Sequence, residues 1–312
     1  MNLLNLIRPA KSELSVDAPR SAVLALGGGG ARGIAHLGVM QAISESEVRT
    51  ERIVGVSMGG LVGAMCAAEP DFLRVQAKAI ELLSSPVFQL KQEILFGAAP
   101  PAEEETYGGM FPWYGRIRKY LQTHRKLTRA VTSSSLISAE PLIESIAYLL
   151  PDIDIEDLPT PLSIVAVDLL SGQRVVLEQG PLRLAVRASA SIPGVFPPVK
   201  WNDMLLADIG VIESVPTLVA NRYAEDLTIA VDVGQDHDRI HACGTAIEVL
   251  MRVDDIGERS LRRFMLEAAD LVIRPDVGNV AWFDFSEPER LIQAGRVAAH
   301  QTLGSMAEQL VV

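Results

Sequence analysis

The chain has 312 residues, 48% of them hydrophobic and 21% charged, which excludes a predominantly disordered protein and allows one large or two small domains. Its 28 lysines and arginines face 39 aspartates and glutamates, a formal net charge of -11 with no dense basic block. That balance argues against nucleic acid as a partner and leaves hydrophobic contact as the main route to any membrane surface.

Residues 1–20 read as a tail, because Leu3, Leu4, Leu6 and Ile7 are interrupted by Asn5, Arg8 and Pro9. This stretch is too short and polar for a secretory apolar region, and no later run reaches the ~18 apolar residues of a membrane span. The expected location is cytoplasmic, with at most transient contact at a membrane. Ala22 to Leu26 is continuously apolar and predicts a central parallel strand. A glycine loop, a helical stretch, the apolar run Arg52-Ile53-Val54 and the turn Gly55-Val56-Ser57-Met58-Gly59 follow, giving a β-α-β-α order. Residues 60–68 are small or apolar all round and predict a helix buried against a sheet.

The acidic, proline-containing segment 97–114 is a candidate flap, with a plain surface loop as the alternative. Helical pattern returns at Glu140 and stops at Pro151. Strands are predicted at Leu162 to Val167, Val175 to Leu177, Met204 to Ala207, Leu227 to Val231 and Leu271 to Ile273. Helices are predicted at Leu182 to Ala188 and from Glu287 onward. No fixed-period repeat or linker divides residues 21–312, which read as one α/β domain. Cys66 and Cys243 lack metal-ligand spacing and read as small apolar residues.

A serine between glycines at a strand-to-helix turn is the spelling of a nucleophile elbow: the turn is tight, and the glycines remove Cβ atoms that would clash there. Upstream, Gly27 to Gly33 lies between a strand and a helix, where consecutive backbone N–H groups converge on negative charge. Gly28, Gly29 and Gly30, with Met58, are candidate oxyanion donors. Read literally, Gly28-x-Gly30-x-x-Gly33 is also a dinucleotide fingerprint, but Glu51 precedes the second strand where a ribose-binding acid should end it. A phosphate-binding loop would need Lys-Ser/Thr where Arg32-Gly33 stands. For a base, His237, His241 and His300 allow a triad, while Asp168 and Asp232 are strand-end carboxylates that more often cap loops. His36 reads as a packed helix residue, and Arg32 as a support for the glycine loop.

The ordered motifs resemble the patatin-like phospholipase family. Gly28 to Gly33 matches its glycine motif with Arg32 in place, and Gly55 to Gly59 matches its serine motif. Residues 187–198 are similar to the segment before its aspartate, and Asp208-Ile209-Gly210 falls where that aspartate is expected, with Ile209 departing from the usual glycine. The core motifs run over residues 21–234. The resemblance implies a three-layer α/β/α sandwich with a mainly parallel central sheet. It also implies a serine acyl hydrolase acting on phospholipid or other lipid acyl esters, a Ser57-Asp208 dyad, and no metal or organic cofactor. The rival readings are a dinucleotide-binding oxidoreductase and a non-catalytic lipid- or protein-binding module.

Overall fold

The computed structural model describes residues 20–96, 134–210, 212–224, 226–235, 243–244 and 246–310. The candidate flap, His237 and His241 lie outside the described residues, as does nearly all of the tail.

Strand β1 (Ser21–Leu26) is buried at every position and leads through the glycine loop and a short 3-10 turn, Gly30–Ile34, into α1 (Ala35–Ser44). Strand β2 (Arg49–Val56) pairs parallel with β1 and ends at the serine turn, from which α2 (Met58–Ala68) starts. Helices α3 (Phe72–Leu83) and α4 (Pro86–Phe96) follow; Asp71 caps α3 by accepting the N–H groups of Leu73 and Arg74. After α5 (Glu140–Leu149) come β3 (Leu162–Asp168), β4 (Arg174–Leu177), α6 (Leu182–Ser189), β5 (Val199–Trp201) and β6 (Met204–Ala207). The short α7 (Thr217–Ala220), β7 (Leu227–Val231), α8 (Ala246–Leu266), β8 (Leu271–Ile273) and α9 (Pro288–Leu310) complete the order.

The sheet runs β5-β6-β3-β2-β1-β7-β8, with β4 also on β3. The strands β3-β2-β1-β7-β8 are parallel; β4, β5 and β6 pair antiparallel at one edge. This agrees with the expected mainly parallel sheet. The antiparallel edge follows from short connections, because the residues between β3 and β4 and between β5 and β6 are too few for a helical crossover.

Side chains alternate along β1. Ala22, Leu24 and Leu26 join the core under α1, α2 and α9, whereas Val23 and Ala25 join the core with Val219 and Ala220 of α7 and Leu266 of α8. Helices therefore cover both faces, which is the three-layer arrangement. Helix α9 lies on α1 at backbone contact: a Cβ on Gly38 would stand 1.8 Å from the Ile292 carbonyl oxygen, and one on Gly295 would stand 1.9 Å from that of Ala35. Among the described residues, no helix is long and apolar enough to cross a membrane.

Candidate active site

Strand β2 delivers Ser57 to the carboxyl edge of the sheet, where the chain must reverse into α2. The reversal puts Ser57 at φ 54 and ψ -123, a left-handed φ that only one other described non-glycine residue, Asn202, shares. Such a backbone costs on the order of 1–3 kcal/mol and persists only where its surroundings hold it. The glycines explain how. A Cβ on Gly55 would lie 2.5 Å from the Gly59 carbonyl oxygen, and one on Gly59 would lie 2.2 Å from that of Leu26. Both positions are closed to side chains by the tightness of the turn and its contact with β1.

The glycine loop, leaving β1 beside the turn, is packed onto it. A Cβ on Gly28 would approach that of Ser57 to 3.2 Å, and one on Gly33 would come within 2.4 Å of the Met58 side chain. Gly30, at φ 57, leaves no room because the Trp282 carbonyl oxygen would be 2.1 Å from its Cβ. The fingerprint glycines thus serve contact with the serine turn and with Trp282. The Gly28 N–H donates to the Ser214 carbonyl at 2.8 Å, so of the expected oxyanion donors it is already engaged. Gly29, Gly30 and Met58 have no such contact among the described backbone pairs, and Met58 opens α2, where a helix presents its free N–H groups.

Asp208, just past β6, is 3% exposed. Burial raises its carboxyl to about 6, while interaction with the Ser57 hydroxyl and the Gly210 N–H partly offsets that rise by favouring the ionised form. The Gly210 N–H donates to Oδ1 at 2.7 Å, and a Cβ at Gly210 would sit 2.9 Å from the same oxygen. Ile209 points into the core on the α7 side of the sheet. The departure from the family pattern therefore places an apolar side chain in an apolar site, while glycine is kept where the carboxylate needs room.

The other carboxylates are otherwise employed. Asp168 accepts from the Ser171 hydroxyl and from the N–H groups of Leu205, Leu170 and Ser171, which hold its carboxyl down at about 2. Asp232 is paired with Arg262 at 3.1 Å. His300 meets Glu45 on the surface. His36 is fully buried, with Nε2 at 2.7 Å from the Gly27 carbonyl oxygen; burial lowers its imidazole to about 4, which keeps it neutral. Arg32 donates from Nε to the Gly29 carbonyl at 3.1 Å and from Nη1 to Gln235 at 2.9 Å, and burial pushes its guanidinium down to about 10. Both residues brace the glycine loop. Among the described residues, no group of three or more His, Cys, Asp or Glu side chains is arranged to hold a metal.

Ser57 and Met58 open onto a cavity of about 320 Å³ with a predominantly apolar lining, which includes Leu61, Met65, Leu82, Phe88, Leu142, Phe196, Trp282 and Phe283. Two contributors escaped sequence reasoning. Trp282, whose carbonyl accepts the Ala31 N–H at 2.6 Å, comes from a distant loop and carries no motif. Ser189 accepts the Ser57 N–H at 2.8 Å and lies inside the segment 187–198, where only its position before the aspartate drew notice.

A family model described as patatin-like phospholipase matches residues 24–221. An uncharacterized NTE family protein of Mycobacterium tuberculosis is 34% identical over 229 residues, covering 72% of this chain and 53% of its own length. Patatin-like phospholipase domain-containing protein 6 of Mus musculus is 30% identical over 227 residues, covering 72% of this chain and 14% of its own. The chain thus spans about half the length of the mycobacterial relative and less of the murine one. Among solved structures, VipD from Legionella pneumophila aligns over 96% of this chain and 71% of its own, with 17% identity and a TM-score of 0.44.

Proposed function

Because the chain belongs to the patatin-like phospholipase family, we propose that it is a serine acyl hydrolase that cleaves lipid acyl esters. The observation that carries this reading is Ser57, held at positive φ at the start of α2 and lining an apolar cavity, with the buried Asp208 carboxyl responding to its hydroxyl. In this mechanism Oγ of Ser57 attacks the ester carbonyl carbon while the Asp208 carboxylate takes the hydroxyl proton. Negative charge gathers on the former carbonyl oxygen, where the N–H groups of Gly29, Gly30 and Met58 and the positive end of α2 stabilise it. The tetrahedral intermediate expels the alcohol, which receives the proton from Asp208. Water then attacks the acyl-enzyme, Asp208 accepts its proton, and the fatty acid leaves as Ser57 is regenerated.

The apolar lining suits an acyl chain and offers few groups to a sugar or nucleotide. Helix α4 borders the cavity through Val87, Phe88 and Leu95 and also exposes Val87, Leu90 and Ile94 outward, so a transient contact with a lipid surface is assigned to this helix. A fluorophosphonate probe tests the reading: it should label wild-type protein at Ser57 and leave a folded Ser57→Ala variant unlabelled. An unlabelled wild type, with lipid binding intact, would identify a non-catalytic module instead.

A further inference from the structure

The dyad members reach the site from different places, Ser57 from the end of β2 and Asp208 from the end of β6, with β3 between those strands in the sheet. One short stretch touches both. The Ser57 N–H donates to Oγ of Ser189 at 2.8 Å, and that hydroxyl in turn donates to the Val165 carbonyl of β3 at 2.6 Å. Two residues later, the Ser191 carbonyl accepts the Asp208 N–H at 2.9 Å, while its hydroxyl donates to the Arg187 carbonyl at 2.8 Å. Ser189 has 0% exposure, so neither the Ser57 amide nor the Val165 carbonyl has water as a substitute for it.

We propose that Ser189 is a positioning residue for the acyl-transfer reaction. Its hydroxyl anchors the strained Ser57 backbone to β3, and residues 189–191 fix the separation of nucleophile and base. The assignment rests on the hydrolase reading above. The Ser57 N–H is the backbone group adjacent to the left-handed φ, so a single acceptor there opposes relaxation of the turn toward ordinary geometry. Loss of that acceptor frees the hydroxyl to move relative to Asp208 without removing either reacting group. A displacement of about 1 Å at a nucleophile is enough to cost on the order of 100-fold in rate.

The test compares Ser189→Ala, Ser189→Cys and Ser163→Ala. Ser163 is a control because it is equally buried and lies on β3, the strand to which Ser189 bonds, but its hydroxyl serves Glu178 at 2.8 Å. At a temperature where all variants remain folded, Ser189→Ala should react with a fluorophosphonate about 100-fold more slowly than wild type. For a soluble short-chain ester it should lose kcat with KM nearly unchanged, the signature of an interaction made in the transition state. Ser189→Cys, retaining a weak acceptor, should fall between, and Ser163→Ala should react normally. Amide exchange at Ser57, followed by NMR, reads the anchor without any catalysis: it should accelerate in Ser189→Ala and not in Ser163→Ala. A wild-type rate in folded Ser189→Ala, an equal slowing in Ser163→Ala, or unchanged Ser57 exchange would overturn the proposal. An unreactive wild type would instead overturn the hydrolase reading, and faster exchange in Ser189→Ala would still support the anchor.

Discussion

At Asp208 the proposed reaction asks one carboxyl to be both buried and basic, and the two demands oppose each other. Its value of about 6 in the folded protein lies above the ordinary 3.8, so the native state holds a proton between these values that the unfolded chain releases. Its contribution to stability is therefore complete below about pH 4 and is lost as pH rises through about 6. Two outcomes follow for this residue. The kcat/KM of wild type should climb as pH passes about 6 and then level, because only the carboxylate can accept the Ser57 proton. Asp208→Asn should abolish ester cleavage yet melt at a higher temperature than wild type at pH 8, a gain that disappears at pH 4 when measured by calorimetry. A lower melting temperature at pH 8 would show that the Asn amide loses more contact than the removed charge costs. The serine turn and the glycine loop were legible in the sequence because tight turns dictate residue type there, whereas Asp208 was singled out only through the family resemblance. The sequence did not reveal that the Gly28 N–H is engaged by Ser214, because the partner is fixed by the path of a distant loop.

Helices α4 and α8 show what periodicity reveals of an element and what it hides. The outward residues of α4, Val87, Leu90 and Ile94, are 63%, 58% and 65% exposed, while Phe88 on its inner side stacks edge-on against Phe285. If this face meets lipid, replacing Leu90 and Ile94, which do not border the cavity, by Gln should abolish co-sedimentation with neutral phosphatidylcholine vesicles and hydrolysis of vesicle lipid. Hydrolysis of a soluble short-chain ester should persist in that variant. Equal sedimentation of variant and wild type would remove α4 from the membrane contact.

Helix α8 mixes the usual pattern: Leu250, Val253 and Ile256 are exposed and Leu266 is buried, but Arg262 is also buried, on Asp232 and on the Gln235 carbonyl. A reading that assigns apolar residues to the inside cannot place such a helix, and none was predicted there. The predicted strands, by contrast, were all found, since β1, β3 and β7 are buried throughout and their sequences are predominantly apolar.

Across the whole molecule, the family match ends at residue 221, but the site does not. Trp282 closes over Gly30 and accepts the Ala31 N–H, Phe283 and Phe285 line the cavity, and α9 rests on the helix that follows the glycine loop. The segment beyond residue 221 is thus part of the frame of the candidate site. A chain ending at Ala281 should retain the matched motifs yet lose reaction with a fluorophosphonate, and limited proteolysis should cut within α1. Normal labelling of that truncated chain would show that the glycine loop is self-supporting. Nothing in the local sequence around Trp282 announces this role, because it acts through a backbone carbonyl that any residue could supply.

The close packing of α9 on α1 at Gly38 and Gly295 also sets an order of events during synthesis. Ser57 and the glycine loop leave the ribosome more than 200 residues before α9, and the surface on which α1 will rest does not yet exist. A nascent chain can therefore carry the serine turn while α1 still lacks the helix that packs on it. If the chain is the proposed hydrolase, its activity is expected only once the late helix has been made and docked.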